Sequence, residues 1–259
     1  MSHRSPIRAA ACSAAIAWAL ALSPAALGAD DDVLKSRLEA AMASDTRSDA
    51  DKARDDNRKP IETLQFFGLE PDMRVLELLP GGGWYTKLLA PALAGDGELF
   101  VAIGTTRVQA MVEEGSLEDV NVVDIDGEFV RDEGERRFRL DGLRIPVDDI
   151  DMVLTFRNMH NFTEEGRAGL NAEVFRVLKP GGVYGVVDHT RRHMQADYYE
   201  NWRRMDPVQM IKEIEAAGFE FVDYSPLHYR PDDELLYEVG RATVTGNTDR
   251  FTLLFRKPE

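Results

Sequence analysis

The stretch VLELLPGGGWYTKLLAPAL, Val75 to Leu93, decides the fold. Val75 to Leu79 is a short apolar run broken by one acid, Glu77, as a buried strand would be, and Trp84 to Leu93 has helical spacing. Between them lie Gly81, Gly82 and Gly83. Glycines at a strand-to-helix turn let backbone N–H groups approach a ligand that side chains would block. A triple glycine alone fits any tight turn equally well. Leu79 stands before Pro80, and a residue before proline is biased to extended geometry, so the strand is predicted to include Leu79 before it turns.

Outward from this stretch the pattern keeps alternating. Strands are predicted at Glu98–Ile103, Val120–Ile125, Asp151–Phe156, Val183–Asp188, Phe219–Tyr224 and Arg250–Arg256, with helices over 107–114, 164–178 and 207–217 between them. EFVRDEGERRFRLDGLRIP, from Glu128, reads as a polar insertion with hairpin character. Strands alternating with helices imply an α/β domain with a parallel sheet and right-handed crossovers, and such sheets bind ligands beyond the carboxyl ends of their strands.

The N-terminus is a separate matter. Arg4 and Arg8 open it, an apolar run follows from Ala9 to Leu22, and Ala26-Leu27-Gly28 is a small-residue exit. Residues 1–28 therefore read as a Sec-type signal peptide, which predicts export to the periplasm or beyond. The apolar run, about 14 residues, is short for a membrane anchor. Cys12, the only cysteine, lies inside it, so the chain beyond Gly28 has no disulfide, thiolate metal site or cysteine nucleophile. The chain of 259 residues carries a net charge of −15; the signal removes two arginines and no acid, leaving −17. That surface repels nucleic acid and anionic membrane, and no stable membrane association is expected after cleavage. Residues 29–59 form a charged, largely helical extension, and residues 60–259 the domain.

LKPGG, Leu178 to Gly182, joins a helix to an apolar strand. With the Val75–Gly83 motif and the closing strand FTLLFRKP, it resembles class I S-adenosylmethionine (SAM)-dependent methyltransferases over Pro60 to Lys257. RDDNRKP, FFGLEPD, PGGGWYTKLLAP, DMVLTFRNMHNF, GVVDH and RFTLLFRKP look more specifically like a group of exported predicted methyltransferases. The resemblance implies a Rossmann-like, seven-stranded mixed sheet of order 3-2-1-4-5-7-6 flanked by helices, and SAM as cofactor. It places Glu77, Gly81, Gly82 and Gly83 at the cofactor, with Tyr85 in reach. Two departures stand out. Leu79 replaces the first glycine of the usual motif, and Gly104-Thr105 replaces the acid that usually ends strand two and binds the ribose hydroxyls. Thr105 offers one uncharged hydrogen bond instead, expected to weaken binding by about 1–2 kcal/mol.

The resemblance also places acceptor contacts after strand four, at Arg157, Asn158, His160 and Asn161. Arg157 suits an anionic group, Asn158 an amide or amine, and His160 a general base near neutral pH. The competing account has Asn158 and Asn161 capping the next helix and His160 packing on the sheet. Asp188 and His189 end strand five on the same side; Asp188 either orients a histidine, bonds a substrate amine or caps a helix. His189 and His193 have i, i+4 spacing, but no third ligand is evident and no metal is predicted. In the resembling group the segment holding Arg54, Asp55 and Arg58 folds over the ligand end as a lid; a solvated charged helix is the alternative. The expected function is methyl transfer from SAM to a small-molecule acceptor. The alternative is an exported, non-catalytic protein that keeps the fold and binds a nucleoside-like or anionic ligand. Gly-x-Ser-x-Gly is absent, which argues against hydrolase chemistry.

Overall fold

The structure, a computed structural model, describes residues 24–259, with side chains from Asp32 onward. The basic start and apolar run of the predicted signal peptide lie outside the described residues. The first described helix, α1 (Pro24–Ala43), is followed by two single-turn helices, α2 (Asp49–Lys52) and α3 (Asp55–Arg58), and by α4 (Pro60–Phe66). Among the described residues no helix is long and apolar enough to cross a membrane.

The domain then runs β1 (Arg74–Leu78), α5 (Thr86–Leu93), β2 (Glu98–Ala102), α6 (Thr106–Glu113) and β3 (Val120–Val123). It continues through the hairpin β4 (Asp126–Val130) and β5 (Arg139–Arg144), β6 (Ile150–Phe156), α7 (Glu164–Val177), β7 (Leu178–His189), α8 (Pro207–Ala216), β8 (Glu220–Ser225) and β9 (Arg250–Arg256). Seven strands form one sheet in the order β3-β2-β1-β6-β7-β9-β8. Counted without the hairpin, that is 3-2-1-4-5-7-6, as the resemblance implies. β9 alone runs against its neighbours, pairing antiparallel with both β7 and β8.

Central strands buried on both faces need apolar residues at nearly every position, and β1 has them. Leu76 and Leu78 point to a core built with α7, α8 and the β7–β9 strands, whereas Val75 points to a core shared with α5 and α1. Leu34, Leu38 and Ala41 of α1 are buried in that second core, so the extension packs as part of the molecule. The segments 190–206 and 229–249 contain no helix or strand, and a fully buried, bidentate ion pair joins them, Arg204 to Asp233 at 2.9 and 3.0 Å.

The prediction for Leu79 is corrected. β1 stops at Leu78, and Leu79 takes φ +52°, the left-handed conformation that glycine adopts freely and leucine does not. Its N–H donates to Ala102 O at 2.9 Å and its side chain packs on the core, contacts that hold it there against the bias imposed by Pro80. Leu79 therefore makes the turn that the missing first glycine would have made.

Candidate functional site

The carboxyl ends of β1, β2, β6 and β7 lie side by side. Three of them continue into a non-glycine residue at positive φ: Leu79 after β1 at +52°, Ile103 after β2 at +65°, and Arg157 after β6 at +62°. Each costs about 1–2 kcal/mol. Strain of this kind often accompanies binding sites, although Asp119 and Asp149, directly before β3 and β6, also take positive φ at the opposite edge of the sheet.

At the glycine turn, Gly81 and Gly82 are exposed, and a Cβ built on either would meet nothing within 4 Å. Gly83 closes the turn by donating to Pro80 O at 2.9 Å, while among the described residues the Gly81 and Gly82 amides have no backbone partner. Gly83 is a different case, because a Cβ there would lie 3.0 Å from Met111 Cε and 3.3 Å from Val108 Cγ2. It is glycine so that α6 can approach. Gly104, at φ +66°, is also open, and the neighbouring Thr105 hydroxyl makes no hydrogen bond among the described residues. Free N–H donors, room above the backbone and an unbonded hydroxyl one strand away fit a nucleoside-bearing ligand such as SAM.

Glu77 does not reach that space. It is 3% exposed and accepts a 2.6 Å hydrogen bond from Thr86 Oγ1, tying β1 to the first turn of α5. Burial pushes its carboxyl up to about 7, against the lowering effects of Thr86 and Arg58. Its place is behind the turn, where it holds the helix that presents the glycines. Tyr85 is likewise buried. It stacks flat on Phe156 with ring centroids 3.5 Å apart, and its hydroxyl donates to Arg58 O at 3.4 Å.

Residues 44–59 form a strap across this edge. Trp84 Nε1 donates to Asp51 O at 3.0 Å, and the Arg47 and Arg58 guanidiniums lie over the Trp84 ring at 5.1 and 4.3 Å. At its far end Asn57 bonds Arg250 and Gly246 O. Arg54 and Asp55 are used within the strap: Arg54 holds Asp51, and Asp55 takes Arg47. Of the three lid residues named from sequence, only Arg58 turns inward, being 4% exposed.

Past β6, the Asn158 amide donates to Leu79 O at 3.2 Å and Phe156 O at 3.1 Å, so it links the β6 end to the glycine turn. Met159–Asn161 forms a single 3-10 turn, and Thr163 caps α7 through Gly166 N at 3.0 Å. Neither Asn158 nor Asn161 is the cap. The Asn161 carbonyl accepts from Phe138 N at 2.9 Å, and its side chain has no partner among the described residues.

His160 donates from Nδ1 to Asp188 Oδ1 at 2.7 Å, and its backbone N–H bonds Asp188 Oδ2 at 2.9 Å. Asp188 is fully buried and also accepts from His189 N at 2.7 Å. Three N–H donors thus converge on this carboxylate, and the bond to Nδ1 fixes the His160 tautomer, leaving the Nε2 lone pair unused among the described residues. His189 lies 5.8 Å from His160, ring to ring, and its Nδ1 is 2.9 Å from Thr248 Oγ1. Burial first, then the His160, Arg250 and Arg157 charges, hold His189 well below the usual histidine pKa, so it stays neutral. His193 lies outside any helix and bonds Asp206 at 2.9 Å, so the i, i+4 pair does not share a helical face.

Sequence reasoning missed Arg250, Thr248 and Asn57. Only Arg250, a charged residue heading the apolar strand RFTLLFR, was a visible signal.

No protein-family model matches the chain, and no curated protein matches its sequence. Solved structures do match. A SAM-dependent methyltransferase from Aquifex aeolicus is 16% identical with a TM-score of 0.54, covering 86% of this chain and 97% of that one. The 4+2 cyclase SpnF is 18% identical with a TM-score of 0.50, covering 83% and 86%. Human N-acetylserotonin methyltransferase in complex with SAM is 16% identical with a TM-score of 0.51, covering 87% of this chain and 57% of that one. At such identities the likeness shows a shared fold. The cyclase among them illustrates that this fold carries more than one chemistry.

Proposed function

We propose that this chain is a SAM-dependent methyltransferase for a small-molecule acceptor, exported by the segment 1–28. One observation carries the reading: Asn158 joins the open glycine turn to the strand end bearing the His160–Asp188 pair. A ligand cradle and a poised base thus sit on adjacent parallel strands.

SAM would lie over Gly81 and Gly82 with its ribose towards Thr105, and when bound it supplies a methyl group on a sulfonium open to in-line displacement. This chain's residues do the rest. Gly81 and Gly82 donate backbone N–H groups. Glu77, through Thr86, keeps α5 in place behind them. Asn158 sets the distance between cradle and base. His160 Nε2 takes the proton of a weakly acidic acceptor, while Asp188 holds the imidazole in the accepting tautomer and steadies the cation formed. The Tyr85–Phe156 stack makes a dry floor, which strengthens each polar interaction above it.

Calorimetric titration of the purified protein with SAM and its demethylated product tests the reading. Micromolar binding is expected. No heat at millimolar SAM overturns it and leaves the non-catalytic binding protein, which the absence of an acid beside Thr105 favours. Export has its own test: N-terminal sequencing of protein from the periplasmic fraction should begin at Ala29.

A further inference from the structure

Arg58 at the end of α3, Arg157 after β6 and Arg250 at the head of β9 come together where the strap crosses the sheet edge. Two runs of contacts place them. Phe156, next to Arg157, stacks under Tyr85, whose hydroxyl donates to Arg58 O. Asn57, next to Arg58, takes the Arg250 guanidinium through its side-chain and backbone oxygens. Arg250 in turn is registered opposite His189, and Arg157 N donates to Val187 O at 2.6 Å, two residues back on the same strand.

None of these three cations forms an ion pair among the described residues, although the Asp188 charge acts on Arg157 and the Asp249 charge on Arg250. Arg58 is 4% exposed, and its Nη2 is buried without a hydrogen-bond partner. Arg250 is 7% exposed, and its Nε is in the same state. The Arg157 guanidinium has no hydrogen bond or ion pair among the described residues. Nearby carboxylates are already engaged: Asp188 with His160, Glu77 with Thr86, and Asp249 with Arg230 N. An unpaired buried guanidinium is strongly unfavourable, and apolar residues of similar size would serve the fold better.

We propose, on the methyltransferase reading above, that Arg58, Arg157 and Arg250 form an oxyanion site that takes a carboxylate or phosphate group of the acceptor and sets its reacting end beside His160. Guanidinium forks match both groups in two-point geometry. The site also explains why a chain of net charge −15 concentrates arginine here: a local positive field draws an anionic ligand past an otherwise repelling surface. Mutual repulsion is already present. Burial and then Arg157 lower the Arg58 pKa to about 8, and burial and then Arg157 lower that of Arg250 to about 10, with Tyr85 opposing both. An anion among the three relieves this.

The test titrates purified protein with inorganic phosphate and with acetate at constant ionic strength in chloride, by calorimetry and by 31P line width for phosphate. Saturable one-to-one binding of at least one of them is expected, phosphate prevailing for a phosphorylated acceptor and acetate for a carboxylated one. Arg157→Gln should weaken it tenfold or more, Arg157→Lys by less, and the exposed Arg144→Gln not at all. Arg157→Gln carries the weight, since this guanidinium has no partner to lose and the fold should survive, as circular dichroism will show. Binding of neither anion beyond the chloride reference, or binding indifferent to Arg157→Gln, overturns the site. Repeating the titration in saturating SAM should leave anion affinity intact; competition would assign the arginines to the cofactor's own carboxylate and overturn the acceptor assignment. Anion binding without any SAM binding would sustain the oxyanion site and remove the methyltransferase reading, so the two failures are told apart.

Discussion

At the ends of β1 and β2 the chain offers backbone; at the ends of β6, β7 and β9 it offers side chains. The first half presents Gly81, Gly82 and Gly104, open above and without backbone partners among the described residues, with the unbonded Thr105 hydroxyl beside them. The second half presents His160 on Asp188, neutral His189 and the arginines 157 and 250, most of them buried. A backbone site recognises a ligand by shape and is filled by one neighbourhood of sequence. A side-chain site recognises charge, places a proton acceptor, and is assembled from residues up to 193 positions apart, as Asn57 and Arg250 are. On the proposed reading, generic binding falls to one half and selectivity and chemistry to the other.

The largest test of that division is His160→Ala. Removing a general base should lower turnover by about 10²–10⁴-fold, while the calorimetric affinity for SAM stays within about twofold. A parallel loss of SAM binding would show that the two halves are not separable. Asp188→Asn sharpens the same point, since an amide that donates to Nδ1 reverses the tautomer and should reproduce most of the loss.

A second effect lies behind the glycine turn. The Glu77 carboxyl is raised by burial from 4.5 to about 7, so between those values the folded state binds more protons than the unfolded state. Stability contributed at low pH is therefore lost as pH rises through that window, by about 3 kcal/mol. Glu77→Gln still accepts from Thr86 and does not titrate. Urea unfolding at pH 5 and pH 8 should show the variant gaining on the parent protein by about that amount at the higher pH. His228, lowered by burial to about 4, contributes the opposite slope between 4 and its ordinary 6.5, which is why the comparison needs the variant rather than the parent's profile alone. An unchanged difference between the two pH values would show that Glu77 ionises freely.

The sequence announced these halves unequally. The alternation of strands and helices was legible because apolar strands, helical spacing and the glycine turn all act locally, whereas the sheet order came only with the resemblance, in which LKPGG marked the strand on which Asp188 sits. Leu79 was misread because the rule for residues before proline was applied without the core contact that overrides it. His160 and Asp188 were visible as candidates, but their bond depends on how two crossover strands are registered, Phe156 beside Val187. Arg58 and Arg250 are illegible as a pair, since one sits in a charged run and the other heads an apolar strand. The irregular segments around Arg204 and Asp233 were equally silent, because an ion pair between two loops leaves no periodicity.

Within the backbone half, Gly82 and Gly83 should part company. Gly82→Val projects into open space at ordinary φ and should weaken SAM binding by about 2 kcal/mol or more, the scale of a lost charge-assisted hydrogen bond, with unfolding shifted by no more than about 0.5 kcal/mol. Gly83→Val collides with Met111 and Val108 and should destabilise the fold before it affects any ligand. If Gly82→Val bound SAM normally, the cradle would have to be moved elsewhere on the edge.

The smallest expected effect is a gain, and it probes what the backbone half lacks. Thr105 follows the left-handed pair Ile103 and Gly104, and its side chain is partly exposed and unbonded. Thr105→Asp supplies there a carboxylate that can accept hydrogen bonds from ribose hydroxyls, and a charged acceptor exceeds a neutral one by about 1–2 kcal/mol. SAM affinity should rise about tenfold, while the anion site at the far half, whose arginines come from the strap, β6 and β9, should not respond. If affinity does not rise, the ribose does not lie at the end of β2, and the cradle over Gly81 and Gly82 holds a ligand of another shape. If anion binding falls as well, the added charge is felt across the whole edge, and the two halves form one electrostatic site rather than two adjoining ones.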